Sequence, residues 1–383
     1  MQIIEVLSPK DIKEFLEFPA RLNRNDPSYI RPLDGDIEAV FDPKKNRALK
    51  KGTAARFLFK DEKGNTLGKI AVFINPKYKQ NIPTGGIGFF DSIDNQEVAD
   101  LIFNHAIAWL KDRGMQAVDG PINLGERDKF WGLLIDGFSD PLYGMNYNPP
   151  YYQKLFENFG FKQYFKQLCF TRPVHSEVSR RFLVMHEKHS RNPKISARPL
   201  KKNKLEEFAQ DFTTIYNKAW ATHGEGKQME LAKTLKMFKT MKPIINEHIS
   251  WFVYHENEPI AMWINIPDLN QWFKYLNGKF GLWEKLKFLF IKRFKTNTKM
   301  VGIVFGVIPS WQKTGIDGYM IWEGTKHLRK HTAFTHTELQ WIGDFNPKMI
   351  GIAQTLDTTV TRTLATYRYI FDPSVKFERH PIL

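Results

Sequence analysis

The chain has a single cysteine, Cys169, which excludes a disulfide-stapled scaffold and fits a reducing, cytoplasmic compartment. That thiol lies between Leu168 and Phe170 in a strand-like run. It has no identifiable catalytic partner, so a buried, inert thiol is expected. No apolar run approaches the ~18–20 residues that span a bilayer. The best candidate, 300–311, is too short and reads as a buried strand. The N-terminal segment carries Glu5, Lys10, Asp11, Lys13, Glu14 and Glu17, so it lacks the apolar core of a signal peptide. No His-Glu-x-x-His pattern is present. His327 and His331, four apart, and nearby His336 read as exposed or packed side chains, and no metal is expected. Acid is in short supply, with 41 Asp+Glu against 56 Lys+Arg and a formal charge of +15.

What is present describes a sizeable folded protein. The 383 residues correspond to two domains at roughly 100–200 residues each. Hydrophobic residues at 42% and aromatics at 14% exclude disorder as the main state. The positive excess is concentrated. Residues 180–204 hold nine Lys/Arg with Glu187 as their one acid, and 274–300 hold eight with Glu284 as theirs. These windows account for the whole net charge, so the remaining chain is balanced. Two solvated faces explain them in the plainest way; the sharper readings are an anionic ligand, an anionic membrane surface or nucleic acid.

The order of elements repeats. In 1–175, strands are expected at 55–59, 68–74 and 86–92. A helix follows over 98–110, opened by a capping box of Asp94 and Glu97. A strand at 117–122, a long glycine-containing loop, a helix to 158 and a strand at 161–171 complete the unit. A basic linker, 176–193, holds a short helix. In 194–383, helices at 204–220 and 229–245 precede strands at 249–254, 259–266 and 301–308. A helix at 316–330, a strand at 335–342, a helix from 344–347 and a closing strand at 361–371 follow. Asn148-Pro149 and Asn346-Pro347 open the last helix of each unit. The shared order predicts a duplicated α/β fold with a mixed sheet.

The most informative stretch is 304–318. An apolar strand ends at Pro309, and a short loop passes through Gly315 into a helix. Such a turn aims backbone N–H groups at one spot, and the helix N-terminus adds about half a positive charge. Together they make a pyrophosphate cradle, with Gly315 allowing close approach and Lys313 adding a charge. This run resembles the acyl-CoA-binding motif of the GNAT acyltransferase superfamily. Val307, Pro309, Gln312 and Gly315 match it, while Asp317 stands where the pattern has a second glycine and Gly318 comes one later. The whole chain is similar to a little-characterised bacterial group of two-domain GNAT-like proteins. The segments that carry this are 88–92, 120–123, 132–138 and 147–152.

The resemblance implies a tandem duplication of GNAT-like domains and an acyl-CoA-dependent N-acyltransferase. The donor is acetyl-CoA or a longer acyl-CoA, used as substrate. The residues expected to hold it are Val307, Gln312, Lys313, Thr314, Gly315 and Ile316. Asn346 opens the helix beside the pantetheine arm, where capping is its plainer role. Glu338 stands where the superfamily often places a general base. Tyr367 and Tyr369, on one side of the last strand, are candidates for the acid that protonates the thiolate. Each of the three also has a plain structural reading, as a strand carboxylate or a packed ring. At the equivalent junction of the first unit, Asp91, Asp94 and Glu97 would repel a pyrophosphate by ~1 kcal/mol or more per close charge. The donor is therefore expected in the second unit only, leaving the first to structure and acceptor recognition. Fem-type peptidyl transferases and N-myristoyltransferase pair two GNAT units with similar asymmetry.

The run 280–295 is a basic, aromatic helix candidate. Leu282, Leu286, Leu289 and Arg293 form one stripe, which Trp283, Phe290 and Phe294 broaden. It packs on its own domain or lies on anionic lipid at the inner membrane surface. The expected partner is a small-molecule or lipid-linked amine. The alternatives are a non-catalytic CoA- or lipid-binding module, a tRNA-dependent aminoacyl transferase and a nucleic-acid binder. The last lacks a recognition motif.

Overall fold

A computed structural model describes residues 1–125, 127, 129–220 and 228–383. Among them, fourteen strands form one sheet. Its first edge runs Gln2–Glu5, Thr53–Lys60, Thr66–Ile74, Thr84–Ser92, Ala117–Gly120. The path continues Thr359–Ile370, Lys162–Pro173, His336–Leu339, Lys299–Val307, Glu258–Pro267, Trp251–His255 and Ile195–Pro199. Leu133–Asp136 and Ile342–Gly343 pair off this path. Two pairs along the path are parallel, 84–86 with 117–119 and 299–302 with 336–339. They stand at matching places in the two half-sheets, and so the expected duplication is present.

The ends of the halves are exchanged. The last strand was expected to close the second unit. Instead Thr359–Ile370 lies between Ala117–Gly120 and Lys162–Pro173. Lys162–Pro173, from the first unit, pairs with His336–Leu339 and Ile342–Gly343 of the second. The exchange leaves the local alternation of each strand intact, because either sheet presents the same pleated surface.

The first half-sheet is covered on both faces. Phe57, Phe59, Ile70 and Val72 pack on the helix Gln96–Lys111, while Leu58, Ala71 and Phe73 pack beside Phe15 and Leu16 of Pro9–Leu22. Burial on both sides explains why these strands read as continuous apolar runs. Each fully buried aromatic contributes about 1.5–3 kcal/mol of transfer free energy. The cap of Gln96–Lys111 is Asn95, whose side chain accepts from Val98 N–H. This corrects the expected Asp94 by one residue. In the second half, Leu205–Trp220 and Ile316–His331 share a core with Trp251–His255 and Glu258–Pro267. The expected linker helix is Arg180–Ser190, and it packs along Ile316–His331.

Candidate active site

Strand Lys299–Val307 stays beside His336–Leu339 only over residues 299–302. It then bulges: Gly302 faces Asn265 and Val304 faces Ile264, so Ile303 falls outside the register. From there the strand keeps its antiparallel neighbour, and the described parallel pairing has ended. A strand edge that leaves its neighbour offers backbone N–H and C=O groups to an extended ligand. Ile303 at this bulge is 40% exposed. Met349 and Ile352, on the helix Pro347–Thr355 that follows the far strand, are 42% and 41% exposed.

The turn at the end of this strand is built from a short 3-10 segment, Pro309–Trp311, and two left-handed residues, Lys313 (φ +63°) and Gly315 (φ +88°). The N-cap of Ile316–His331 is Gly315, which has no side chain to cap the helix, and among the described residues no side-chain hydrogen bond to its first N–H groups is present. Gln312 Nε2 donates to the Val307 carbonyl at 3.2 Å, and Thr314 Oγ1 donates to Trp311 O at 2.7 Å. Ile316 is fully buried and contributes backbone alone. Asn346 caps the next helix by accepting from Met349 N–H at 3.1 Å.

The first basic window sits on this turn. His189 Nε2 and Lys188 Nζ lie 3.0 and 3.3 Å from the Thr314 carbonyl oxygen and donate to it. Met185 fills the space over the glycines. A Cβ on Gly315 would stand 2.9 Å from Met185 Cγ, and one on Gly318 would stand 2.4 Å from Met185 Sδ. These glycines therefore let the basic helix approach, which brings Lys188 to the same turn as Lys313.

The three expected catalytic side chains do not converge here. Glu338 is 2% exposed. Its Oε1 accepts from Arg362 Nη1 and its Oε2 from Lys299 Nζ, each at 3.1 Å. A general base needs a lone pair turned to the substrate's proton, and both oxygens of Glu338 are committed to cations. Arg362 also donates to Ser139 Oγ at 2.9 Å and to the Asp140 carbonyl at 2.7 Å. Glu338 thus ties the exchanged strand to both halves. Nearby Asp268 is pushed up to about 6 by burial, with Lys299 opposing the shift. Tyr367 is fully buried and donates to Glu157 Oε1 at 2.8 Å. Burial holds its phenol well above the ordinary range. Tyr369 packs on Phe159 and Phe161. Both lie in the first half because the strand exchange carried them there, with two strands between them and Lys299–Val307.

Cys169 is fully buried, and burial pushes its thiol up to about 12, the inert state expected of it. His327 and His331 are joined by His248, whose Nδ1 lies 2.9 Å from His327 Nε2. Among the described residues no group of three His, Cys, Asp or Glu is arranged to hold a metal.

Sequence reasoning missed the state of the first half's junction. There the chain hooks back after Gly120, and Ile122 N–H donates to the Ile87 carbonyl at 2.7 Å. That hydrogen bond occupies the edge that, among the described residues, has no backbone partner in the second half beyond Gly302. Below it Lys69 and Asp91 form a buried ion pair at 3.1 Å. Burial pulls Lys69 down and pushes Asp91 up, each opposed by the other's charge. Tyr152 donates to Asp91 Oδ1 at 3.1 Å, and a cavity of about 70 Å³ adjoins the pair. The available signal was a lone lysine and a lone aspartate, each inside an apolar strand. The expected acidic repulsion at this junction is thereby altered, because Asp91 is neutralised.

No family model matches the chain. The chain is similar to the bacterial ceramide synthase of Caulobacter vibrioides, 24% identical over 375 residues that cover 96% of this chain and 97% of that one. Protein YghO of Escherichia coli is 25% identical over 293 residues, 73% of this chain and 72% of its own. Among solved structures, a tandem GNAT protein from the clavulanic acid biosynthesis pathway superposes with a TM-score of 0.54 at 9% identity, covering 98% and 99% of the two chains. A GCN5-related glucosamine N-acetyltransferase region of a fungal multi-domain protein gives 0.53 at 10% identity, covering 96% of this chain and 38% of that one.

Proposed function

We propose that this chain, whose fold is the tandem GNAT acyltransferase fold, moves an acyl group from acyl-CoA to an amine carried on a lipid-like acceptor. The single observation that carries the reading is the second half's junction, where an open parallel-strand edge leads straight into an uncapped helix N-terminus. The edge at 303–307 supplies hydrogen bonds for an extended pantetheine arm. The turn at 313–316 brings Lys313 and Lys188 together, which supports a pyrophosphate site beside Gly315 and not over it, where Met185 lies. In the reaction the amine nitrogen attacks the thioester carbonyl carbon, a C–N bond forms and the C–S bond breaks. The proton lost by the amine ends on the leaving thiol. Similarity to a ceramide synthase favours a long-chain amine as acceptor and a long acyl chain as donor. The first half, with its edge already filled, is left to acceptor recognition.

A second reading has its own support. With both Glu338 oxygens held by cations, the fold also suits a CoA- or lipid-binding module without turnover. Thermal unfolding with CoA, acetyl-CoA and palmitoyl-CoA tests donor binding, because a ligand of the native state raises stability by an amount set by its affinity. No shift with any of them at millimolar concentration sinks both CoA readings. A shift without amide product, followed by mass spectrometry with a long-chain amino alcohol, leaves the binding module.

A further inference from the structure

We infer that the helix Leu282–Phe294 is a docking surface for an anionic lipid bilayer. Two apolar residues anchor it, Phe288 and Ile291, buried in a cluster with Leu33, Trp272 and Phe273, and Lys287 and Lys292 donate to the Tyr275 and Pro243 carbonyls. The rest of its apolar surface faces outward. Leu282 and Trp283 are 82% and 80% exposed, Phe290 and Phe294 are 65% and 64%, and Leu286 and Leu289 are 59% and 54%. At 3.6 residues per turn these six cover an arc of about 140°. Large apolar side chains exposed together on one face mark an interaction surface.

The charges choose the occupant. Lys285 and Lys292 fall on one flank of the arc, Lys287 on the other, and Arg293 within it, while Glu284 is the helix's one acid. Apolar rings bounded by cations match the layering of a bilayer surface, where acyl chains lie beneath anionic headgroups. A second copy of the chain would set these cations against one another, so self-association fits less well. Among the described residues no helix is long and apolar enough to cross a membrane, so the contact is peripheral. The helix also stands beside the first half's cavity. Its cluster includes Leu33, and Asp34 N–H donates to the Gly278 carbonyl at 2.7 Å. The neighbouring Ile30, Pro32 and Ile37 line that cavity. Docking would bring this wall to the bilayer, where a lipid-like acceptor resides. The docking itself does not depend on the acyl-CoA reading.

The test is co-sedimentation of the full-length protein with vesicles of phosphatidylcholine alone and of phosphatidylcholine with phosphatidylglycerol, without acyl-CoA. Binding is expected on the anionic vesicles and is expected to weaken with salt. Lys285→Glu with Arg293→Glu is expected to lower partitioning at least about tenfold. Trp283→Ser with Phe290→Ser should lower it by a similar factor while leaving thermal stability unchanged, since both side chains are exposed. Equal, weak binding to both vesicle types overturns the proposal. So does a protein that is dimeric in solution and becomes monomeric in the Trp283→Ser, Phe290→Ser variant, which would make the face a self-contact. Persistence of acyl-CoA thermal shifts in variants that no longer bind vesicles separates this outcome from failure of the catalytic reading.

Discussion

In the first half, strand Thr84–Ser92 runs parallel to Ala117–Gly120 for a few residues, reaches Gly88, and bulges at Phe89, whose φ is +50°. In the second half, Lys299–Val307 runs parallel to His336–Leu339, reaches Gly302, and bulges at Ile303. The backbone plan is the same, and the filling is opposite. Ile122 closes the first edge with its own N–H, and the buried Lys69–Asp91 pair lies beneath it. Among the described residues no backbone group fills the second edge, and Ile303 there is 40% exposed. A duplicated fold therefore keeps its backbone plan while its two junctions are filled differently.

The largest expected effect tests the filled copy. Lys69→Met leaves Asp91 buried without its cation. Breaking a buried ion pair by removing one partner costs about 3–5 kcal/mol. Without Lys69 the Asp91 carboxyl rises further, so the folded state holds a proton that the unfolded state releases. The deficit measured by urea unfolding should therefore shrink as pH falls from neutrality toward 5. A deficit independent of pH would show that Asp91 is not the group left stranded. Next comes the matched glycine pair. A Cβ on Gly88 would stand 1.8 Å from the Ile122 carbonyl oxygen, which is backbone, whereas one on Gly302 meets the end of the Leu339 side chain at 2.9 Å. Gly88→Ala should cost about 3 kcal/mol and Gly302→Ala under about 1, because only the leucine can move aside. Similar costs at the two positions would mean that the first edge is not closed as described.

These contrasts mark where the sequence was legible. The repeated order of elements, the turn at Gly315, the cap at Asn346 and the inert Cys169 all follow from local patterns, and the structure holds them as expected. The strand exchange does not follow, because Tyr367 and Tyr369 alternate identically whichever sheet receives them. The burial of Glu338 between two cations does not follow either, for a related reason. Its cation Arg362 is carried on that exchanged strand, and its other cation, Lys299, comes from a strand 39 residues away. The helix Pro9–Leu22 holds Pro19 inside it, and proline argues against a helix interior, so its local pattern is a weak signal. Long-range pairing and a locally unfavourable residue are what a pattern reading cannot weigh.

A smaller effect compares the buried carboxylates of the two halves. Asp91 has Lys69 as a direct partner, whereas Asp268 is raised to about 6 by burial with Lys299 only partly opposing. In the unfolded chain its carboxyl titrates near ~3.9. Between those values the folded state binds more protons than the unfolded state. Stability contributed by this group therefore falls as pH rises through the window, and the penalty is complete above pH ~6, at about 2–3 kcal/mol. Asp268→Asn keeps an oxygen for the Asn270 N–H, which Asp268 Oδ1 accepts at 3.1 Å. The variant should flatten the loss of unfolding free energy between those pH values. An unchanged slope would assign it to another group.

The smallest effect on stability is the sharpest on function, and it tests the open copy. Ile303 is 40% exposed at the bulge, so an aspartate there keeps a route to water and Ile303→Asp should cost about 1 kcal/mol of stability. The same charge would stand on the strand edge proposed for the pantetheine arm, close to where a thioester and its acyl chain must lie. Desolvating that carboxylate against an apolar chain should weaken acyl-CoA binding at least about tenfold, equivalent to about 1.4 kcal/mol. Titration calorimetry with palmitoyl-CoA reads the loss directly. The comparison holds if Phe89→Asp, at the first half's bulge, damages folding and Ile303→Asp damages chiefly binding. Phe89 is partly buried and packs against Phe15, Phe41, Phe73 and Phe130, so a charge there is set against four rings. Undiminished binding in the Ile303→Asp protein would move the donor away from this edge and remove the functional distinction between the two halves.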